Sequence, residues 1–247
     1  MMRVASAIVG VLFAAFAYAQ PAPQTGTVRT VLGSIALSSV DDAPRYYKVV
    51  RVALAAGTET NLRAPVGFVF GLSGSLEVAA AGGRQLLSPG EGLPLGAEGN
   101  TTLTAKGGKD AVFLHFMLGR ADELDKPVAS APAKPTELFR TNAPIPGLKG
   151  GPYEFTLVRV TIPPHAPLNP PHRRSGAAVY YVYGGTGSFV ADGKAESKPA
   201  GVVHYEPYTL VHQWGNAKDV PLVLIQANIS QEGVPAVMFT TPSGGGR

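Results

Sequence analysis

The sequence predicts an all-β protein made of two copies of one unit, and three observations carry that prediction. Apolar residues arrive in short runs, among them YYKVVRVAL, GFVFGL, AVFLHFML, FTLVRVTI, AVYYVY, VVHYE and PLVLIQANI. These runs are rich in Val, Ile, Phe and Tyr and are bounded by Gly, Pro, Asn or Asp, the composition of strands and their turns. No stretch sustains a helical period for three turns without a breaker, and ADELDK at 121–126 is the one short exception. The third observation is a repeat. FVFGLSGSL (68–76) aligns with YVYGGTGSF (181–189) at an offset of 181 − 68 = 113, pairing Val69 with Val182, Gly71 with Gly184 and Gly74 with Gly187. Gly90 and KDAVFLHF of the first copy face Gly201 and KDVPLVLIQ of the second at nearly the same spacing. Two copies at a period near 110 indicate duplicated domains, whereas solenoid repeats run at roughly 20–50 residues.

Taken in order, the chain opens with Met1-Met2-Arg3, an apolar run from Val4 to Phe16 and then Ala17-Tyr18-Ala19. A short basic start, an apolar stretch too short to span a bilayer and an Ala-x-Ala site are the layout of a signal peptide. Residues 1–19 are therefore expected to be removed and the product exported, to the periplasm or beyond, with no membrane association after cleavage. The absence of cysteine excludes disulfides, thiolate metal sites and a cysteine nucleophile, so packed cores must supply the stability. Next come an N-terminal domain over 27–120, a linker over 121–146 rich in Pro, Ala and charge, a second domain over 147–240, and a polar tail, TPSGGGR, over 241–247.

A net charge of +4, with basic residues scattered and no basic run interleaved with aromatics, excludes a nucleic-acid groove. There is no G-x-S-x-G elbow and no Gly-rich loop ending in Gly-Lys-Ser/Thr. The expected partner is a small molecule, and the sheet faces offer a route to a homodimer.

The chemistry concentrates in the second copy. Gly201, five residues, Pro207, Tyr208, Thr209, two residues, His212, three residues and Asn216 follow, with Thr209 in place of one glycine, the second motif of the cupins, G-x5-P-x-G-x2-H-x3-N. The first cupin motif, G-x5-H-x-H-x3,4-E-x6-G, is met by His172 and Gly185, but Arg174 stands at its second histidine and Ala178 at its glutamate. The chain thus resembles a two-domain cupin, strongly over about 145–240, and over about 35–120 only through its glycine-bounded strands. The resemblance implies two tandem jelly-roll β-barrels. It also implies that His172, Arg174 and Ala178 share a barrel interior with His212, where typical cupins hold a transition metal with His, His, Glu and His.

Two imidazoles are a poor set for a metal that prefers three or four protein ligands. Arg174, which keeps its charge at any relevant pH, would repel a divalent ion. The first expectation is a pocket without a standard metal centre that binds a small anionic or polyhydroxylated molecule. Arg174, His172 and His212 would be its polar groups, and Tyr181 and Trp214 its aromatic wall. The alternative is an atypical metal-dependent enzyme, an oxygenase or isomerase, holding one divalent transition metal on His172 and His212 with His204 or Glu206. His165 is a further candidate ligand, and a bulge at Ser175-Gly176 would turn Arg173 or Arg174 out of the barrel and leave the interior to the metal. Arg174 inside a barrel needs a partner, which is either Glu206 or the ligand itself, and Arg173 competes for the same role. His115, within AVFLHFML, reads as a packed strand residue.

Overall fold

In the segment Leu222–Gln231, residues 222, 224, 226, 228 and 230 point to one face and 225, 227 and 229 to the other, and both faces are buried. Side chains alternate along a strand, so a strand buried on both faces lies in a sheet with a core on each side. That condition organises the molecule. The computed structural model describes residues 26–240 apart from 41–42, 64, 81–82 and 97–100. The expected signal peptide (1–19) and tail (241–247) lie outside the described residues.

The described residues open with β1 (Val28–Val40), β2 (Tyr46–Leu54), β3 (Glu59–Leu62), β4 (Gly67–Ser73) and β5 (Ser75–Ala80). It continues through β6 (Gly83–Leu87), β7 (Gly92–Leu95), β8 (Thr101–Lys106) and β9 (Ala111–Gly119), the short helix α1 (Ala121–Leu124) and β10 (Lys134–Arg140). The second half holds β11 (Gly151–Ile162), β12 (His172–Arg174), β13 (Ala177–Gly184), β14 (Thr186–Ala191) and β15 (Lys194–Pro199). It ends with β16 (Val203–Glu206), β17 (His212–Gly215), β18 (Leu222–Gln231) and β19 (Val237–Phe239).

These strands form four antiparallel sheets, and each half of the chain is a jelly-roll barrel of two facing sheets. In the first barrel, β10-β2-β9-β4-β7 faces β3-β8-β5-β6 around Val50, Val52, Val69, Leu76, Leu103 and Phe113. In the second, β1-β11-β18-β13-β16 faces β15-β14-β17-β12-β19 around Val160, Tyr180, Val182, Phe189, Trp214 and Leu224. The sheets β10-β2-β9-β4-β7 and β1-β11-β18-β13-β16 then pack back to back. Phe68, Phe70 and Phe116 meet Phe155, Leu157 and Ile225 there, with the Phe68 and Phe155 rings 4.8 Å apart, and Tyr47 donates its hydroxyl to the Ala177 carbonyl at 3.0 Å. Among the described residues, no helix is long and apolar enough to cross a membrane.

Two features differ from the expected layout. The segment 121–146 is not a bare linker, since it contains α1 and β10, and β10 pairs with β2 in the first barrel. Conversely β1, assigned by sequence to the first domain, pairs with β11 and extends a sheet of the second barrel. Both are edge strands. Lys134–Glu137 are exposed on both faces, so they show no alternation, and Pro135 is tolerated where one side of the ladder faces water.

The repeat is also in a different register. The tight turn after β4 is made by Gly74 (φ +68°), and its counterpart after β13 is Gly185 (φ +76°), an offset of 185 − 74 = 111. An added Cβ would meet Asp110 O at 2.3 Å in the first case and Pro221 O at 2.4 Å in the second, two carbonyls again 111 residues apart. Gly187, matched to Gly74 by sequence, serves packing and not the turn, because its bare α-carbon lies under the Trp214 ring, which a Cβ would meet at 2.6 Å. Two glycines close together in the second copy allowed the wrong one to be aligned.

Candidate functional site

Across β13 and β16, Ala178 faces Glu206; at the offset of 111 the same pair in the first barrel is Gly67 and Leu95. Leu103 likewise stands where the second barrel has Trp214 (214 − 111 = 103), so the first barrel is apolar at these positions. His115, on its inner face, is fully buried with neither ring nitrogen hydrogen-bonded, and burial lowers its pKa to about 3.

In the second barrel, β12 and β17 bring the two motifs together, with His172 paired in register with His212 and the rings 4.3 Å apart. Both imidazoles are fixed the same way. His172 Nδ1 lies 2.9 Å from the Pro170 carbonyl and His212 Nδ1 3.0 Å from the Leu210 carbonyl. A carbonyl only accepts, so each Nδ1 donates and each Nε2 is left for the barrel. Burial first, then the charge of Arg174 and the neighbouring His212, lowers the His172 pKa to about 3, so its ring is neutral and its Nε2 is an acceptor.

Arg174 is the largest fully buried side chain. Its Nε donates to Glu206 Oε2 at 2.9 Å, and its guanidinium lies 5.4 Å over the Tyr180 ring. The other carboxylate oxygen accepts from Trp214 Nε1 at 2.6 Å. His212 Nε2 is also 2.9 Å from Glu206 Oε2, off the line of a straight hydrogen bond, a contact that attracts only when that nitrogen carries a hydrogen. Burial alone would push the Glu206 pKa up, but Arg174, His212 and Trp214 outweigh it and hold the carboxyl at about 2. The sequence left the partner of Arg174 open, and the geometry resolves it: the guanidinium points inward, and Glu206 is the partner. Arg173 instead sits 5.6 Å over the ring of Tyr208.

The second motif ends in a structural lock. Asn216 donates from Nδ2 to the carbonyls of Ile162, Pro163 and Val220 at 3.3, 3.0 and 2.8 Å, and its Oδ1 accepts from Lys218 N–H at 3.0 Å.

Other expected site residues fall elsewhere. Tyr181 does not join this cluster: alternation from Ala178 turns Tyr180 and Val182 inward, and Tyr181 packs into the core between the barrels. Tyr180 takes the aromatic place, 5.7 Å from Trp214, while Phe189 stacks on His212 at 5.7 Å. His204 does face inward, with its ring 4.2 Å from Phe189 and its Nε2 buried without a partner. His165 is exposed and pairs with Asp219 at 3.1 Å, away from the barrel.

Residues missed by sequence are Gln226 and Asn228, whose Oε1 and Oδ1 are buried and unpartnered. Their signal was two polar residues two apart inside an otherwise apolar run, hence on one strand face.

As arranged, these groups do not fit a divalent metal. Among the described residues no three His, Asp or Glu side chains are placed to share an ion. Glu206, the carboxylate nearest His212, is already occupied at Oε2 by the Arg174 guanidinium and at Oε1 by the Trp214 indole. Arg174 supplies the positive charge that such a carboxylate would otherwise draw from a metal.

A family model described as a cupin domain matches residues 158–227. No curated protein matches the chain. Among solved structures, AerE from Microcystis aeruginosa superposes with a TM-score of 0.53 at 15% identity, covering 78% of this chain and 96% of that one. A salicylate 1,2-dioxygenase variant from Pseudoaminobacter salicylatoxidans gives 0.51 at 10% identity, with 76% of each chain covered. The same kind of variant in complex with gentisate gives 0.52 at 10% identity, covering 77% and 74%. At these identities the likeness is one of fold. The chain therefore has the cupin jelly-roll fold, and the match to the cupin-domain model falls within its second barrel.

Proposed function

We propose that the second barrel is an exported receptor for a small, oxygen-rich molecule, anionic or hydroxylated, held without a standard metal centre. One observation carries the reading. Arg174 Nη1 is a buried cationic donor with no partner among the described residues, beside two imidazoles whose Nδ1 atoms are tied to the backbone. A buried donor left unmet costs about 1–3 kcal/mol, more when charged, so an acceptor oxygen from a ligand is strongly favoured there. His172 Nε2, Asn228 Oδ1 and Gln226 Oε1 complement it as acceptors for a ligand hydroxyl. Glu206 does not bind ligand in this reading; it orients Arg174 and Trp214. The dioxygenase variant of similar fold solved in complex with gentisate supports a small molecule as the partner.

A second reading, a metal-dependent oxygenase or isomerase, is favoured by the anchored Nδ1 atoms of His172 and His212, since metal-binding histidines are fixed this way. With Glu206 as the third ligand it requires Arg174 to leave that carboxylate; with His204 it requires that ring to turn toward the other two. Elemental analysis of the mature protein, purified without chelator or nickel resin beside His172→Ala, separates the two. The receptor reading expects below about a tenth of an equivalent of Fe, Mn, Zn, Cu or Ni; about one equivalent that vanishes in the variant would replace it with the metal reading. N-terminal sequencing of secreted protein tests export, with Gln20 as the expected first residue.

A further inference from the structure

Arg174 cannot be the source of net positive charge in this barrel, because Glu206 neutralises it at 2.9 Å. The reading of an anionic ligand then needs another cation, and the strand exchange supplies one. In the β1–β11 ladder Arg29 stands opposite Val160. Directly paired residues of adjacent strands point to the same face of a sheet. Val160 is buried in the core of the second barrel, beside Tyr180, Val182 and Trp214, so Arg29 projects from the edge of the sheet toward that interior.

Arg29 is accessible to solvent, as a side chain at a barrel rim should be. Enough protein surrounds its guanidinium for burial, and then the nearby Arg174 charge, to lower its pKa to about 10, with Glu206 opposing. The guanidiniums of Arg29 and Arg174 therefore feel one another, and the single carboxylate among these three groups is already bonded to Arg174. Arg29 forms no ion pair among the described residues.

We infer that Arg29, from the first strand of the chain, supplies the uncompensated positive charge that draws an anionic group into the second barrel, while Arg174 contributes a neutralised hydrogen-bond donor. The inference rests on the receptor reading and sharpens it. Specificity for a carboxylate over its uncharged analogue resides in Arg29, and the ligand acid lies toward the β1 edge.

The test is calorimetric titration of benzoate and of neutral benzamide into the mature protein and into Arg29→Gln and Arg29→Glu, at low and at physiological salt. Arg29 is exposed, so both variants are expected to fold with unchanged melting temperature. Benzoate affinity should fall about five- to tenfold in Arg29→Gln, further in Arg29→Glu, and lose most of its salt dependence. Benzamide affinity should not change, a result that a merely structural role for Arg29 would not give. Equal benzoate affinity in the parent and Arg29→Gln overturns the role of Arg29 and leaves the receptor reading standing. Failure of the parent to bind either compound sinks the receptor reading and this inference with it.

Discussion

Ala178 faces Glu206 directly across the β13–β16 pairing, so the carboxylate of the second barrel reaches the site from a neighbouring strand and not from the position the motif assigns to it. The small side chain at 178 leaves room for an Arg174–Glu206 pair whose members are 1% and 0% exposed. A buried pair of this kind is weak evidence of net stability, but breaking it is costly.

Glu206→Leu should therefore destabilise the protein by about 3–5 kcal/mol, because it strands the Arg174 charge in the barrel. Arg174→Met combined with Glu206→Leu should recover most of that loss, since neither charge remains to be solvated. Urea unfolding of the two single variants and the double reads the coupling. A double variant as unstable as the sum of the singles would show that the two side chains act independently.

Stability should decline with acid, and His115 should account for part of it. Its pKa is about 3 in the folded chain against 6.5 when unfolded, so its contribution is intact above pH 6.5 and is lost as pH falls toward 3. Between those values one such group costs about 1.4 kcal/mol per pH unit. Glu206, held at about 2, adds a loss of the same sign below about pH 4.5. Unfolding free energies at pH 7, 6, 5 and 4 should fall less steeply in His115→Leu than in the parent, and identical slopes would count against this assignment.

Asn216→Asp should be more damaging than Asn216→Ala. The alanine leaves three carbonyls without their donor, a loss of about 2–4 kcal/mol, while the aspartate puts a negative charge among those same oxygens. Thermal melts at pH 7 check the order. The reverse order would mean that the amide is not what holds the loop.

Glycine replacement should expose the duplication. Gly74→Ala and Gly185→Ala each drive a Cβ into a backbone carbonyl at positive φ, and each should cost more than about 2 kcal/mol. Gly57→Ala, at φ +70° but in open space, should cost only about 1 kcal/mol. Denaturant midpoints of the three variants test the contrast, and similar losses at all three would place the cost in φ alone.

The sequence revealed the strands and the duplication, because each depends on local alternation or fixed spacing, while the inward placement of His172, Arg174 and His212 was an expectation carried by the cupin resemblance. Alternation also contained the answer for Tyr180, which shares the parity of Ala178 and therefore faces inward where Tyr181 does not. What escaped it was pairing at long range. Nothing near Lys134 indicates that β10 belongs beside β2, and nothing near Val28 indicates β11, since edge strands satisfy neither the periodicity nor the burial that marks inner ones. The choice of Glu206 as partner for Arg174 has the same origin: two residues 32 apart meet because the barrel closes.

The placement of β1 also has a consequence in time. Its partner residues arrive late; Ser34 bonds to Glu154, 120 residues onward. At about 5–20 residues per second, a ribosome needs roughly 6–24 s to supply that partner. For this interval the first strand is a bare edge with open hydrogen-bonding groups, the state most prone to pairing with a wrong chain. Among the described strands, the one made earliest is thus the one that waits longest for its partner.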